Sequence, residues 1–275
     1  MCLFCVVMLY PIWYTVVLSL NDGYDAQRGG IYTLPRKLTL TNYSTVLRST
    51  GILKAYGVTI ARTLIGTLSS VLFTAMVSYA LSKKKLIGRK LYMGLGLVTL
   101  FFSGGLIPYF LLIKNLGLFD NFWVYIIPAL FNFYNLLLFQ SFFRGIPGDI
   151  EESAFIDGAN DFQIFIKIIV PLSMPIIATI ALFNGVYHWN DYFVGVLYIN
   201  NPDLQPIQTY LYRVIAQNSS NMMMTSIPSG IPYRSVTSQS IRYATMVCTT
   251  LPIVCVYPFL QKYFVKGMLL GSIKG

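Results

Sequence analysis

The sequence predicts an all-α integral membrane protein with six transmembrane helices. Hydrophobic residues make up 55% of its 275 residues and charged residues only 11%, against roughly 25% charged residues in a typical soluble domain. Mean hydropathy is +0.62. A soluble domain of this length cannot bury so much apolar surface, so much of it must face lipid. The chain also divides into apolar runs of about 20 residues, each long enough to cross a hydrocarbon core ~30 Å thick.

The predicted spans make up a single transmembrane domain over residues 1–275. They cover residues 1–20, 57–82, 91–113, 120–143, 172–199 and 243–265. The connection 83–90 reads KKKLIGRK, and the positive-inside rule places this short basic loop in the cytoplasm. Alternation then puts the connection 144–171 and both chain termini on the cytoplasmic side. The long connections, 21–56 and 200–242, fall outside.

Two features of the spans are irregular. The first run has neither a basic flank nor a small-residue cleavage site, so it is predicted to be a span rather than a signal peptide. We expect the native chain to extend before Met1. Pro108 and Pro128 lie inside predicted spans and predict kinks, which serve either ordinary packing or hinging around a translocation path.

The sequence lacks the residue combinations that most enzyme reactions need. The sequence contains no glycine-rich Walker loop, no Ser-His-Asp arrangement and no conspicuous carboxylate pair. Cys2-x-x-Cys5 has metal-like spacing, but no second pair lies nearby, and the cysteines sit in apolar runs typical of free thiols. The basic residues form no stripe with interleaved aromatics, so nucleic acid is not a predicted partner. We therefore predict no catalytic residue, metal site or cofactor in this chain.

Half of the acidic residues lie in one short polar stretch between Asp149 and Asp161. Asp149 followed by Glu152 has the spacing of a capping box, which predicts a helix start. Gly158 suits the left-handed position after a helix end, and Asp161 is placed to cap a second helix over 162–170. A short helix with apolar residues beside its acids must rest on the bilayer, on the rest of the chain or on a partner.

The spacing of this stretch resembles the EAA motif of binding-protein-dependent ABC permeases, E-A-A-x3-G-x9-I-x-L-P. Here the motif reads Glu152-Ser153-Ala154, then Gly158, then Ile168, Val170 and Pro171. Ser153 and Val170 are mild departures from it. The segment VYHWNDYF and the ending QKYFVKGMLLGSIKG resemble the maltose-permease-like second subunits of the carbohydrate uptake family. The early loop NDGYDAQRGGIYTLPRKLTLTNY resembles the branch that imports complex oligosaccharides, including those that contain uronates.

The resemblance implies a type I ABC importer permease fold in the bacterial cytoplasmic (inner) membrane. It also implies an oligosaccharide substrate, acidic ones included, and four kinds of partner: membrane lipid, a second homologous permease, two ATPase subunits that bind ATP and Mg, and an extracellular or periplasmic solute-binding protein. The implied ATPase-coupling residues are Glu151, Glu152, Ser153, Ala154, Phe155, Asp157 and Gly158. Glu152 would pair with a basic group on the ATPase or cap its own helix. Ala154 would let the helix sit deep in the ATPase groove.

The most polar cluster inside a predicted span defines a candidate substrate path, because polar groups at membrane depth are costly. Its residues are Asn184, His188, Trp189, Asn190, Asp191 and Tyr192, with Asn132 and Asn135 from the fourth span. They either line a sugar-binding cavity or belong to an interfacial belt and to helix packing. As a single histidine, His188 is predicted to be a packed, hydrogen-bonded residue rather than a proton relay. Gln140 either makes a contact between helices or lines the substrate path. Arg62 either extends its side chain toward the outer surface or faces an anionic substrate.

Two other functions remain as alternatives. An ion-coupled secondary transporter needs a buried acid, and Asp191 is the residue that the sequence offers; the acidic stretch would then have no role. A scaffold or channel is the third possibility, but no segment resembles an ion-selectivity filter.

Overall fold

The computed structural model describes residues 2–216 and 236–272. Within these ranges the regular elements are helices, with an isolated antiparallel bridge between Asn21 and Leu38. The α-helices are α1 Cys2–Ser19, α2 Gly23–Gln27, α3 Thr41–Arg48, α4 Thr50–Ser82, α5 Arg89–Phe101, α6 Leu106–Asn115, α7 Phe133–Phe143, α8 Gly148–Ile156, α9 Asp161–Ile164, α10 Val170–Leu172, α11 Met174–Asn190, α12 Phe193–Tyr198, α13 Ile207–Ala216 and α14 Ser238–Ser272. Short 3₁₀ turns span Phe122–Tyr125 and Pro202–Leu204, and a π-helical turn, Phe165–Ile169, joins α9 to α10.

The chain forms two compact units, one from residues 1–59 and 191–256 and the other from residues 60–190 and 257–275. The core of the second unit gathers α4, α7, α8 and the segment from α9 to α11. Its buried members are Val71, Ala75, Tyr79, Phe139, Phe143, Ala154, Ile164, Phe165, Ile169 and Ile180. A core of the first unit gathers α3, the start of α4, α13 and α14 around Val46, Ile52, Ala55, Ile207, Val214, Val236, Ile241 and Ala244.

Three predicted spans coincide with continuous helices. α1 matches the first span to within a residue at each end, and α14 contains the sixth. α4 ends at Ser82 like the second predicted span, but begins at Thr50 rather than at residue 57. Among the described residues, α4 is the helix that can cross a bilayer by itself on length and apolarity, while α1 and α7 are apolar but shorter.

The third predicted span is broken. α5 and α6 meet at an angle of 119° across residues 102–105, just before Pro108. Together the two helices are long and apolar enough for one span. The predicted kink therefore lies at the serine-glycine run rather than at the proline, because two successive glycines weaken the helix most at this point.

The fourth predicted span, 120–143, holds a regular α-helix only in its second half. Pro128 supplies no backbone N–H, and the chain runs through turns until Asn132. The Asn132 side chain then accepts a hydrogen bond from the Asn135 N–H at 3.0 Å and starts α7. With 11 residues, α7 rises about 16 Å, half of a hydrocarbon core.

The fifth predicted span, 172–199, is divided at both ends. The helical segment Asp161–Leu172 turns by 82° into α11 at Ser173. Pro175 contributes to this bend, because its ring cannot fit against the carbonyl four residues earlier in a straight helix. α11 ends at Asn190, and the Asp191 carboxylate accepts the Phe193 and Val194 N–H groups at 3.1 and 3.3 Å to begin α12.

The connection after α1, predicted as a polar loop, is an ordered structure. The Arg36 side chain pairs with the Asp25 carboxylate at 2.9 Å and also contacts the Gly29 carbonyl at 3.1 Å. This guanidinium, followed by the Asn21 amide, holds the pKa of Asp25 below its ordinary range. Asn42 donates to the carbonyls of Ser19 and Asn21, each at 2.9 Å, so carbonyls at the end of α1 have partners.

Candidate functional site

Helix α8 carries the acidic stretch, but its ends are capped differently from the prediction. The N-cap is Pro147 without a side-chain cap, so the predicted Asp149–Glu152 capping box is wrong. Asp149 instead lies inside the first turn, where its charge suits the helix dipole. Gly158 has a φ of +82°, as predicted for the residue that turns the chain after the helix.

The next helix, α9, also begins one residue earlier than predicted. Asn160, not Asp161, is the cap, and it forms a full capping box with Gln163 through hydrogen bonds of 2.8 and 3.0 Å. The helical segment continues through Pro171 to Leu172 rather than ending before it. A proline one residue into α10 is tolerated because the preceding turn is π-helical.

α8 has two faces with different surroundings. Ala154 is buried in the core of the second unit, so its small side chain faces this chain rather than outward as the resemblance implied. Glu152, Phe155 and Ile156 are exposed, with Ile156 at 86%. Ser153 donates to the Asp149 carbonyl of its own helix at 2.7 Å. The exposed set, Glu152, Phe155 and Ile156, is called the outer face of α8 below.

The inner side of α8 is tied to the end of α4 by charge. Lys83, the residue after α4, donates to the carboxylate of Glu151, and its ammonium lies 4.2 Å from the centre of the Tyr79 ring. Burial disfavours the charge on Lys83, but the Glu151 and Tyr79 interactions outweigh it and raise the pKa of Lys83. Tyr79 in turn packs on Phe165 at 5.3 Å between ring centres. This cluster thus joins α4, α8 and the π-helical turn.

The predicted substrate-path residues are only partly brought together. Asn135 donates to the Asn184 carbonyl oxygen at 3.3 Å, and Asn184 donates to the Ser70 hydroxyl at 3.4 Å. Asn132, Asn135 and Asn184 line one cleft of about 400 Å³, whose other walls are Pro128, Ala129, Phe131, Tyr134, Phe183 and Tyr187. This volume, here called the amide cleft, combines hydrogen-bonding amides with aromatic rings.

A larger neighbouring groove is less suited to a polar ligand. It measures about 1000 Å³ and shares Pro128, Phe131, Asn132 and Tyr134 with the amide cleft. Its remaining walls are mostly aliphatic or aromatic side chains of α4, α5 and α7. Such a groove fits acyl chains or a helix better than a sugar, so the amide cleft is the stronger candidate for a substrate contact.

The other predicted path residues lie away from the amide cleft. His188 is 1% exposed and packs on α4 at Gly66, where a side chain would overlap the imidazole ring. Trp189 is half-buried, and exposed Asn190 donates to the Val186 carbonyl of its own helix at 3.0 Å. Asp191 and Tyr192 belong to the first unit, where Asp191 caps α12 and Tyr192 stacks on Tyr212 with ring centres 5.1 Å apart.

The sequence left open the direction of the Arg62 side chain and the role of Gln140, and the burial and contacts of these residues answer both questions. Arg62 is 1% exposed, and its guanidinium lies 4.3 Å from the centre of the Tyr125 ring, so the outward-reaching alternative is wrong. Gln140 donates to the Leu81 carbonyl at 2.9 Å and accepts from Arg144 at 2.7 Å. It therefore serves contact between helices rather than the path.

Sequence reasoning missed Ser70, Tyr79 and Lys83 as site residues. Lys83 was visible only as one of a basic run, and nothing in that run distinguishes the lysine that meets Glu151. Ser70 and Tyr79 lie in a long apolar helix, where small hydroxyls and aromatics are common packing residues. A helical wheel of α4 that placed Tyr79 one turn before Lys83 would have been the available signal.

Comparisons with known proteins identify the family. Residues 49–270 match the family described as binding-protein-dependent transport system inner membrane component, which is most of the chain. The chain belongs to this family. It is therefore a permease subunit of an ABC importer and an integral protein of the cytoplasmic membrane, as the motif resemblance implied.

Similar proteins match this permease over almost its whole length. The polygalacturonan/rhamnogalacturonan transport system permease protein YtcP of Bacillus subtilis (strain 168) is 39% identical, covering 99% of this chain and 95% of that protein. Protein LplC of the same organism is 38% identical over 98% of this chain and 90% of that protein. A solved chain from a bacterial ABC transporter involved in the import of the acidic polysaccharide alginate has a TM-score of 0.87 and 32% identity, covering 95% of this chain and 92% of that chain. The predicted all-α permease fold is thereby confirmed.

Replacing Gly66 by alanine should destabilise the permease, because the added methyl group would overlap the His188 ring. Overpacking of this kind costs about 1–3 kcal/mol. Gly57→Ala is the matched control: Gly57 lies on the same helix and has open space around its Cα. Thermal unfolding of the detergent-solubilised protein should show a lower midpoint for Gly66→Ala alone. Equal midpoints for the two variants would contradict the close His188 packing.

Proposed function

We propose that this permease imports an oligosaccharide, acidic ones included, across the cytoplasmic membrane. It would work with a second homologous permease, with two ATPase subunits that bind ATP and Mg, and with an extracellular or periplasmic solute-binding protein. The observation that carries the coupling part of this proposal is the two-sided environment of α8. One side is fixed to the membrane helices through Glu151 and Ala154, and the other is exposed.

The sugar assignment rests on relatives and on the chemistry of the amide cleft. YtcP is named for polygalacturonan and rhamnogalacturonan, and the solved transporter for alginate, all acidic polysaccharides. Amides bind sugar hydroxyls, and aromatic rings stack on the apolar faces of pyranose rings. The cleft lining, however, contains no charged residue among those the structure describes. Recognition of uronate carboxylates would therefore occur elsewhere, on the partner permease or on the binding protein.

The outer face of α8 would dock on an ATPase. Glu152 does not cap its own helix in this structure, so its carboxylate is available for a basic group on the partner. Phe155 and Ile156 beside it would bury apolar surface, which is the main source of affinity at such contacts. Asp157 and Gly158 would set the turn that ends the docking helix.

The inner side of α8 would pass the ATPase movement into the membrane. Lys83 connects Glu151 to the end of α4, and Ala154 packs in the same core as Val71 and Phe139. A displacement of α8 would therefore be transmitted through these contacts to both α4 and α7. α7 carries Asn135 and α4 carries Ser70, so this core leads to two of the amide-cleft residues or their partners.

The membrane topology completes the proposal. The basic connection that contains Lys83 and the loop that contains α8 would lie in the cytoplasm, with both chain termini on that side. Residues 1–275 would act as a single transmembrane domain. The Lys83–Glu151 pair supports placing these two connections on one side of the membrane, since both ends of an ion pair must lie there.

Ion-coupled transport, the alternative that the sequence left open, would need Asp191 as its coupling acid. The Asp191 carboxylate accepts two backbone N–H groups at the start of α12, which gives it a structural role without a coupling ion. Uptake that is driven by a proton or sodium gradient in the absence of ATPase subunits would favour this alternative.

Reversing the charge of Glu152 should weaken ATPase binding. Loss of one partner from a desolvated interfacial charge pair costs about 2 kcal/mol or more, or roughly thirtyfold in affinity. We expect Glu152→Lys to reduce co-purification of the ATPase with the permease from membranes. Glu152→Gln should show a smaller loss, and Lys114→Glu, a charge reversal at an exposed residue of α6, should show none. Undiminished co-purification with Glu152→Lys would refute the docking role.

The Lys83–Glu151 pair should couple ATP hydrolysis to uptake. Both side chains are about a quarter exposed, at 28% and 24%, so a coupling energy of about 1 kcal/mol is expected. Lys83→Glu and Glu151→Lys should each lower sugar uptake per ATP hydrolysed while the ATPase still co-purifies. The double variant should recover much of the ratio. A double variant no better than the poorer single variant would show that the pair does not transmit the movement.

Substitution at Asn184 should impair substrate passage without dissociating the complex. A typical hydrogen bond contributes about 0.5–1.5 kcal/mol, so Asn184→Ala should raise the apparent KM for uptake several-fold. Asn190→Ala is the matched control on the same helix, because Asn190 is exposed and bonds to its own backbone. Uptake kinetics in vesicles with all partners present provide the measurement. Identical KM values for the two variants would remove the amide cleft from the substrate path.

A further inference from the structure

The ordered connection after α1 exposes an unusual set of apolar side chains. Tyr32, Leu34 and Leu38 are 65%, 70% and 73% exposed, although the segment around them is held by hydrogen bonds. The segment 32–38 is called the interfacial loop below. An ordered apolar surface of this kind is costly in water and needs a partner.

The interfacial loop is fixed along the side of α1. Trp13 donates its indole N–H to the Thr33 carbonyl at 2.8 Å, and Tyr10 donates to the Tyr32 carbonyl at 3.4 Å. Ile31, just before the loop, is buried against Val17 and Leu18. The chain therefore runs from the last turns of α1 back toward its middle.

Helix geometry gives the distance over which the loop runs back along α1. Trp13 precedes the last residue of α1, Ser19, by six residues, and a helix rises ~1.5 Å per residue. The Thr33 carbonyl thus lies about 9 Å back along α1 from its end. The loop then returns to that end, where Asp22 and Thr39 donate to the carbonyls of Lys37 and Leu20 at 2.9 and 2.8 Å.

The neighbouring side chains indicate which medium surrounds the loop. Aromatic residues with a polar tip concentrate at the membrane–water interface, and Tyr10, Trp13 and Tyr14 lie on α1 at the level of the loop. Toward the start of α1, the exposed side chains are apolar, including Phe4 and Leu9, as expected for contact with acyl chains. A soluble partner that approaches the end of α1 would have to pass the headgroup layer to reach Leu34.

Basic residues complete the pattern. Arg28, before the loop, and Lys37, within it, are exposed and can meet lipid phosphates. Of the two nearby acids, Asp25 is buried and paired with Arg36, and the Asp22 carboxylate accepts two backbone N–H groups at the start of α2. The segment thus offers apolar side chains and positive charge together, which suits an anionic or zwitterionic bilayer surface.

We propose that the interfacial loop is a membrane anchor that inserts Tyr32, Leu34 and Leu38 into the lipid–water interface at the C-terminal end of α1. This contact would hold α2 and α3 at a fixed height on the bilayer. The proposal requires only that the permease is integral to the membrane, and it does not depend on the substrate or on the coupling role of α8.

Site-specific fluorescence in bilayers tests the anchor. Cys2, Cys5, Cys248 and Cys255 are replaced by serine, and Leu34→Cys is labelled with an environment-sensitive fluorophore in the complete transporter in lipid nanodiscs. We expect blue-shifted emission, quenching by lipids with brominated acyl chains and little quenching by aqueous iodide. Leu9→Cys, an exposed position on α1, is the lipid-facing control, and Gln27→Cys, an exposed position on α2, is the water-facing control.

Two outcomes would overturn the anchor. Emission and iodide quenching at Leu34 equal to those at Gln27 would place the loop in water. Protection from both brominated lipid and iodide would mean that a partner protein covers it. Uptake by the same labelled transporter is measured in parallel, so a failed anchor and a failed transport proposal are separate results.

Discussion

A backbone N–H or C=O group without a partner inside hydrocarbon costs several kcal/mol, and this constraint shapes the permease. Helices satisfy the requirement along most of the described chain, and side chains supply partners at several of the breaks. Asn132 caps α7, Asp191 caps α12, and Asn42 reaches the carbonyls at the end of α1. The breaks are therefore specified as strongly as the helices. Because capping amides and carboxylates supply the missing partners, polar residues inside a predicted span mark changes of direction as often as they mark ligands.

The second unit is where this constraint bears on the proposed coupling. Its core joins α4, α7, α8 and the bent segment that leads into α11, so few parts of it can move alone. The helix α8 contributes to this core while its outer face is exposed, and α7 and α11, which also contribute to it, carry Asn135 and Asn184 of the amide cleft. Lys83, Tyr79 and Phe165 form a continuous chain of contacts from α8 to the π-helical turn. Close-packed interiors transmit displacement rather than absorb it, which is what coupling to an ATPase requires.

The candidate site was predictable where residue type alone carries the information. The EAA-like spacing located α8 and its glycine turn, because a left-handed turn demands glycine whatever surrounds it. The polar residues of the fifth span were recognised as a set but not sorted. Asn184 lines a cleft, His188 packs on Gly66, and the Asp191 carboxylate accepts N–H groups at the start of a helix. These different environments depend on which residues of the neighbouring segments lie opposite each side chain. Rotation about a helix axis by one residue exchanges such environments, and no local pattern fixes that rotation.

By itself, the sequence determined the membrane class, the positions of α1, α4 and α14, and the place of α8, because hydrophobic length and motif spacing are properties of the chain alone. Only the tertiary structure decided which residue of each polar group faces a neighbour. Glu151 pairs with Lys83, whereas Glu152, the next residue on the same helix, is exposed. The tertiary structure also buried Arg62 on Tyr125 and folded the loop after α1 back along that helix. Those choices arise from contacts between segments far apart in sequence, where burial, charge pairing and close packing are settled together.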